Sequence, residues 1–206
     1  MDGNNRWSKK NSLSFTEGYR NGANKLLSIS NYIFKEYAVN YISAFALSKN
    51  NLSRPKKILN SIKSVLDKSL DDLDDHNLEF DIQFIGDFNF LSNGIKKKIF
   101  AINKKKNFKK KLIIFINYSG KDEIINASKY TKSDQKSFEK NLYTNNLPDP
   151  DILIRSGGFS RLSNFMLYQL AFTELFFIKK LWPEIQPYDI KKIISKYNLI
   201  DRKFGL

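Results

Sequence analysis

The chain has no cysteine and only one histidine, His76, among its 206 residues. The absence of cysteine excludes a disulfide framework, a thiolate metal site and a cysteine nucleophile. A single histidine leaves little material for a histidine-built metal centre or a Ser-His-Asp triad. Because His76 lies in the polar stretch "DDHNLE", we predict no functional role for it.

Long apolar runs are also missing. No segment approaches the roughly 18 apolar residues of a membrane-spanning helix, and no signal peptide is visible, so we predict a cytoplasmic protein. Negative charge is scarce as well, since 21 acidic residues against 35 Lys and Arg give a net charge of +14. This excess predicts attraction to polyanions such as nucleic acid, anionic lipid or phosphorylated substrates. We interpret the lysine-rich stretch 96–111 as a solvated face.

Apolar runs alternate in type along the chain. Short runs predict buried strands at 40–47, 79–86, 111–118 and 151–155, with 175–178 as a further candidate. Longer amphipathic patterns predict helices at 19–37, 55–75, 91–103, 122–142, 163–174 and 187–197. Because strands alternate with helices and no linker is visible, we predict an α/β fold in a single domain over residues 1–206. It has a mostly parallel central sheet flanked by helices.

Polar residues follow several of these strands, most notably in "RSGGFSRLS" after 151–154. A strand delivers Arg155 at its carboxyl end, and Ser156-Gly157-Gly158 then turns the chain with backbone amides predicted to face an anion. Arg161 follows, and Ser163 stands where an N-cap is needed before the helix predicted at 163–174. Arginine forks, a hydroxyl and a helix N-terminus together suit a phosphate or diphosphate.

A second polar cluster opens the chain, in "MDGNNRW". Asp2, Asn4 and Arg6 surround a predicted turn at Gly3. A carboxylate suits Mg²⁺, and an arginine suits the phosphate that Mg²⁺ accompanies. By itself this cluster also fits an ordinary turn.

Together, the two clusters resemble the cis-prenyltransferase family. The resemblance extends through "FALSKNNLSRP" (45–55), "FIGD" (84–87), "INYSGKDEI" (116–124), the long run 147–177 and "LWPEI" (181–185). It implies an α/β domain with an apolar tunnel, working as a homodimer. The implied reaction condenses isopentenyl diphosphate onto an allylic diphosphate, such as farnesyl diphosphate, with cis double bonds and Mg²⁺. A polyprenyl product further implies peripheral contact with a membrane.

The resemblance also assigns roles to individual residues. It implies catalytic roles for Asp2, Asn4, Ser48 and Asn51, and Mg²⁺ binding by Asp2 and Glu174. The substrate-binding residues that it implies are Gly3, Arg6, Trp7, Arg20, Arg54, Arg155, Arg161 and Ser163. Lys203 stands in a terminal element that resembles one reaching the neighbouring subunit's site.

The sequence departs from the family pattern mainly around the allylic diphosphate. Phe15 and Tyr19 take the places of an arginine and a histidine, and Leu52 replaces a tryptophan. Asn50 and Phe159 stand where glutamates are common, and Lys121 replaces an arginine. The strand that precedes "MDGN" in the family is missing from this sequence, so we expect the sheet to lack its first strand.

Three alternatives remain open from the sequence. The first is a degenerate, non-catalytic member that binds a diphosphate or serves as a prenyltransferase subunit. The second is a trans-type prenyl synthase, because "DDLDD" (71–75) contains an Asp-Asp-x-x-Asp pattern; we interpret it instead as a solvated helix face. The third is a nucleic-acid-binding module, but no such motif accompanies the lysines, so we predict no nucleic-acid partner.

Overall fold

Strands separated by helices form the framework of the molecule, whose computed structural model describes residues 1–131 and 134–202. The strands are β1 (Tyr41–Ser48), β2 (Asp81–Gly86), β3 (Lys111–Tyr118), β4 (Ile152–Arg155) and β5 (Glu174–Phe177). The α-helices are α1 (Asn4–Lys10), α2 (Phe15–Glu36), α3 (Lys56–Asp71), α4 (Asn93–Lys104), α5 (Gly120–Ser128), α6 (Gln135–Lys140) and α7 (Pro187–Tyr197). Short 3₁₀ helices lie at Lys49–Ser53, Asp72–Asp75 and Trp182–Glu184.

All strand pairings are parallel in the described part of the chain, which confirms the predicted arrangement. β3 lies between β1 and β2, while β4 pairs with β5 in a separate two-stranded sheet. Ser48 pairs with Tyr118, and Gly86 pairs with Ile116. The carboxyl ends of β1, β2 and β3 therefore meet at one edge of the sheet, where ligands commonly bind in such folds.

The two sheets are joined by side chains and loops. The Asp2 amide donates to the Ser156 hydroxyl oxygen just after β4, at 3.1 Å. Deeper in the molecule, the Phe165 ring stacks on Phe45 of β1, with centroids 4.7 Å apart, and meets Phe115 of β3 edge-on at 5.1 Å. The chain's first residues and the segment after β4 thus place the two-stranded sheet against the larger one.

The apolar core lies on both faces of β3. Leu112, Ile113 and Phe115 of that central strand are fully buried. On one side, the apolar residues of α3 share a cluster with those of β1, including Ile42, Ala44 and Leu47. Because parallel strands are covered on both faces, their continuous apolar runs are a direct consequence of this burial.

Local sequence explains where several helices begin. The Ser14 side chain accepts from the Glu17 amide while Glu17 caps Ser14 in return, so α2 starts at Phe15 and not at residue 19 as predicted. Ser92 and Ser119 cap α4 and α5. α1 was not predicted, because its seven residues are mostly polar. Within the described residues, no helix is both long and apolar enough to cross a bilayer.

The predicted helix at 163–174 is wrong. This segment forms turns until β5 begins, because Ser163, Asn164 and Met166 have φ angles of 52°, 63° and 42°, which an α-helix cannot contain. Tertiary hydrogen bonds hold the turns: the Asn164 side chain accepts from the Lys121 amide at 2.8 Å and donates to the Ser119 hydroxyl at 2.8 Å.

A buried polar network fixes the same segment further along. Gln169 donates to the Glu123 carboxylate at 3.0 Å and to the Thr144 hydroxyl at 2.7 Å. Tyr118 also donates to Glu123. The pKa of the Tyr118 phenol is raised, mainly by burial and secondly by the charge of Glu123. The helix predicted at 122–142 is likewise corrected, since α5 and α6 occupy it as two short helices.

Candidate functional site

The turn after β4 is the centre of the candidate site. Gly157 and Gly158 have φ angles of 91° and 81°, which favour glycine. Their amides donate to the Lys180 and Ile178 carbonyls at 2.7 and 3.0 Å. The prediction that these amides face an anion is therefore wrong for both glycines. Their bonds instead anchor the turn to the chain that follows β5.

Asp2 lies among the arginines of this turn. Arg155, the last residue of β4, places its guanidinium 3.1 Å from the Asp2 carboxylate. Arg6 of α1 lies 3.4 Å from the same carboxylate and donates to the Gly157 carbonyl at 2.8 Å. A Cβ on Gly157 would lie 2.6 Å from the Arg6 guanidinium, so both the turn and the close approach require glycine there.

Arg161 and Ser163 complete what we call the arginine cluster: Asp2, Arg6, Arg155, Arg161 and Ser163. Arg155 donates to the Ser163 hydroxyl at 2.7 Å and also to the Arg161 carbonyl. Ser163 therefore lies in the arginine cluster, where it accepts from an arginine instead of capping a helix. The two predicted clusters, 150 residues apart in the sequence, form one site.

The arginine cluster carries two more positive than negative charges, from three guanidiniums and the Asp2 carboxylate. Among the described residues, Arg161 has no carboxylate partner within ion-pair distance. Like charges held this close repel one another. An anion of two or more charges relieves that repulsion, and planar guanidinium forks match phosphate oxygens.

A cleft of about 450 Å³ adjoins the cluster. Its lining residues are Ser48, Asn50, Asn51, Lys121, Ser163, Asn164 and Leu167. The predicted catalytic residues Ser48 and Asn51 thus meet at the end of β1, where the Ser48 amide donates to the Asn51 side chain at 3.4 Å. Since Ser163 belongs to both the cleft and the arginine cluster, the cleft opens beside the predicted diphosphate position.

Arg54 is held at the margin of this region by Tyr19. Its guanidinium donates to the Tyr19 phenol oxygen at 3.0 Å. Burial raises the pKa of Tyr19, with the charge of Arg54 acting in the opposite direction. The phenol therefore stays neutral at physiological pH and acts as a fixed acceptor.

Four other predicted site residues are not members of the arginine cluster. Asn4 packs against α2, where a Cβ on Gly22 would lie 2.2 Å from the Asn4 side-chain oxygen, and this buried oxygen has no hydrogen-bond partner in the described structure. Gly3 starts α1 with a φ of 104°, Trp7 is half-buried on that helix, and Arg20 is exposed on α2.

The two residues predicted to bind Mg²⁺ are not brought together within the chain. Glu174 pairs with Ile152 at the start of the two-stranded sheet, whereas Arg155, the contact of Asp2, pairs with Phe177 at its end. Three residues of strand separate these positions, about 10 Å. Within residues 1–131 and 134–202, no three His, Cys, Asp or Glu side chains are grouped to hold a metal. Lys203 lies outside the described residues.

Two residues of the site, Ser156 and Phe159, were not among the predicted site residues. Ser156 fixes Asp2, because its hydroxyl also donates to the Asp2 carbonyl at 3.1 Å. Phe159, which stands where a glutamate is common in the family, lies against the guanidinium groups of Arg6, Arg155 and Arg161. The Gly-Gly pair signalled a tight turn, but no sequence signal showed which side chains would meet across it.

Comparisons with known proteins show what the whole chain resembles. A family model described as "Putative undecaprenyl diphosphate synthase" matches residues 1–205. An isoprenyl transferase of Thermotoga maritima is 33% identical, over 100% of this chain and 94% of the relative. One from Oceanobacillus iheyensis is 38% identical, over 100% and 87%. The crystal structure of lavandulyl diphosphate synthase from Lavandula x intermedia, in complex with dimethylallyl diphosphate, superposes with a TM-score of 0.86 at 26% identity, covering 100% and 95%.

Proposed function

Because this chain belongs to the undecaprenyl diphosphate synthase family, we propose that it condenses isopentenyl diphosphate onto an allylic diphosphate to form a polyprenyl diphosphate with cis double bonds. The arginine cluster carries this proposal. Two of its guanidiniums pair with the Asp2 carboxylate at the end of β4, and the third lies against Phe159. The cluster adjoins a cleft of about 450 Å³. This combination offers an anion position beside room for the reacting carbons.

The proposed reaction breaks the allylic C–O bond, and the diphosphate leaves with the electron pair. The isopentenyl double bond supplies the electrons of the new C–C bond, and the isopentenyl carbon then loses a proton. Arg6 and Arg155 are fixed by Asp2, so they bind diphosphate charge without reorganising during the reaction. No strong base lies in the cluster, since two guanidiniums engage the Asp2 carboxylate. A diphosphate oxygen is therefore the proton acceptor that we propose.

We also propose that the reaction uses Mg²⁺. Mg²⁺ commonly binds through one or two carboxylates together with substrate phosphates and waters. Asp2 fits this pattern because it is a carboxylate set among anion-binding arginines. When bound, the ion would neutralise diphosphate charge. Because Glu174 lies apart from Asp2 within the chain, this arrangement does not bring both carboxylates to one ion.

The growing product needs an apolar path, and we propose that α3 and β1 provide it. Ile62 and Leu66 of α3 and Ile42 of β1 are partly buried against the core cluster. These apolar side chains lie beside β1, whose carboxyl end reaches the cleft at Ser48. An isoprenoid chain leaving the cleft would therefore contact apolar surface.

The direct test measures incorporation of labelled isopentenyl diphosphate by the full chain with farnesyl diphosphate and Mg²⁺, followed by extraction of lipid products. We expect an elongated, EDTA-sensitive product, with kcat reduced about 100-fold or more in Asp2→Asn, since a preorganised electrostatic contact is lost. Asp71→Asn is the matched control, because Asp71 pairs with Lys98 on the surface. Loss of activity in Asp71→Asn would favour the Asp-Asp-x-x-Asp alternative. Diphosphate binding without product would instead indicate the non-catalytic member.

A further inference from the structure

The Phe159 ring lies against three guanidinium groups at once. The guanidinium carbons of Arg161, Arg6 and Arg155 lie 4.3, 5.1 and 5.8 Å from the ring centroid. All three distances fall within the range of a cation–π interaction. The three arginines come from α1, from the end of β4 and from the following turn, so the ring joins separate parts of the site.

The position of this ring is set by the backbone. Gly157 and Gly158 immediately precede it, and their amides are bound to the Lys180 and Ile178 carbonyls. Phe159 is 39% exposed, so its ring is not placed there by burial in the core. A large apolar side chain that remains exposed in a charged site therefore calls for an explanation other than folding.

Charge supplies that explanation. Asp2 pairs with Arg6 and Arg155, whereas within residues 1–131 and 134–202 the Arg161 guanidinium contacts the Phe159 ring and no carboxylate. A carboxylate in this position would hold the arginines by neutralising part of their positive charge. The electron-rich face of a phenyl ring attracts guanidiniums while leaving their full charge available.

We propose that Phe159 is a positioning residue, whose ring holds Arg161, Arg6 and Arg155 together for a diphosphate group. The inference rests on the proposed function and deepens it. In the absence of substrate, the Phe159 ring would keep the three arginines close together. A diphosphate then meets arginines that are already gathered, and less ordering accompanies binding.

The experiment measures the dissociation constant of inorganic diphosphate by titration calorimetry on the full chain. Phe159→Leu removes the ring face, and Phe159→Tyr keeps it. Phe108→Leu is the matched control, because Phe108 has a similar exposure of 42% and lies outside the site. We expect Phe159→Leu to weaken binding about threefold to tenfold, with Phe159→Tyr and Phe108→Leu within about twofold of the unmodified chain.

Steady-state kinetics separate positioning from a merely structural role. In Phe159→Leu, KM for isopentenyl diphosphate should rise with little change in kcat, and the melting temperature should match that of Phe108→Leu. The proposal is overturned if Phe159→Leu binds diphosphate as tightly as the unmodified chain, or if Phe159→Tyr loses as much affinity as Phe159→Leu. If the unmodified chain binds no diphosphate, the proposed function itself fails. If the unmodified chain forms product but Phe159→Leu binds diphosphate with unaltered affinity, only the inference about Phe159 is wrong.

Discussion

At the scale of single residues, the site depends on close contacts between charged side chains and the backbone. Gly157 allows Arg6 to reach its carbonyl at 2.8 Å, and Ser156 holds Asp2 in front of Arg155. Aromatic residues occupy two positions at which the sequence departs from the family pattern. Phe159 lies against three arginines, and Tyr19 accepts from Arg54. The departures at these two positions therefore change the kind of contact and do not leave the arginines unsupported.

Replacement of Tyr19 tests this view at the allylic side of the site. Tyr19→Phe removes the phenol oxygen that accepts from Arg54, so this guanidinium loses a fixed partner. A hydrogen bond to a charged group contributes about 1.5–3 kcal/mol. We therefore expect KM for the allylic diphosphate to rise about tenfold, with a smaller change in kcat. Steady-state kinetics at saturating isopentenyl diphosphate measure the effect.

Tyr32→Phe is the control for this prediction. Tyr32 lies on the same helix, and its hydroxyl contacts Tyr37 at 3.4 Å, away from Arg54. Equal kinetic effects of the two substitutions would show that the Tyr19 phenol has no special role.

At the scale of secondary-structure elements, the residues of the arginine cluster are positioned by short elements and turns and not by the long helices. α1 carries Arg6 into the arginine cluster, and its end is fixed to the 3₁₀ helix Trp182–Glu184. There Glu184 accepts from Lys10 at 2.8 Å and from the Leu181 amide at 3.0 Å. The hydrogen bond from Lys10, followed by that from Leu181, lowers the pKa of Glu184.

This contact predicts a pH-dependent contribution to stability. A carboxyl whose pKa is lower in the folded state stabilises the fold above its unfolded pKa, and that contribution is lost as the pH falls through the folded pKa. Glu184→Gln should therefore lower the free energy of unfolding at pH 7, by less than about 1 kcal/mol for a partly exposed ion pair. The difference should shrink as the pH falls below the ordinary value of 4.5.

Urea denaturation of both proteins across this pH range provides the measurement. Glu79→Gln, at an exposed glutamate before β2, is the matched control. A difference between Glu184→Gln and the unmodified chain that stays constant with pH would contradict the assigned role of the carboxylate.

At the scale of the whole molecule, the surface carries an excess of positive charge and several exposed apolar side chains. The net charge is +14. On β5, Leu175 and Phe177 are 43% and 37% exposed, although large apolar side chains that lie together are usually buried. On α4 and the loop after it, Phe100 and Phe108 are exposed among lysines. We propose that the β5 surface forms a homodimer contact and that the surface with Phe100 and Phe108 contacts a membrane.

The β5 surface predicts the site of dimer contact. Replacing both Leu175 and Phe177 with serine should shift the chain from dimer to monomer, because the apolar area that the partner would bury is lost. Sedimentation equilibrium at about micromolar concentration, in the range of typical dimer affinities, measures the change. The control replaces Ile125 and Leu199, also exposed, with serine. A monomeric unmodified chain, or equal dissociation of both variants, would rule out this surface.

The lysines near Phe100 and Phe108 predict binding to anionic membranes. Lys104→Gln with Lys109→Gln should weaken co-sedimentation with phosphatidylglycerol-containing vesicles about tenfold or more, since each lysine near such a surface contributes about 1 kcal/mol. Lys191→Gln with Lys192→Gln on α7 removes the same charge elsewhere and should have a smaller effect. If the unmodified chain does not sediment with these vesicles at low salt, the proposed membrane contact is wrong.

Much of the fold was predictable because burial leaves a periodic record in the sequence. The apolar runs of β2 and β3 reflect burial on both faces. Each of the strands β1 to β4 lies within about two residues of its predicted bounds. For the segment 163–174, the same reasoning wrongly predicted a helix. Phe165, Met166 and Leu170 are buried, but tertiary hydrogen bonds of Asn164 and Gln169 select turns over a helix.

By itself, the sequence determined the parallel α/β framework and the residue types of a diphosphate site, because both depend on local periodicity and on side-chain chemistry. Only the tertiary structure decided which of those residues meet. It joined Asp2 and Arg6 to Arg155 and Arg161 and left Glu174 apart from them. It also placed Phe159 among the arginines. Such contacts depend on how distant elements pack, and the spacing of residues along a chain does not encode the distances between them in space.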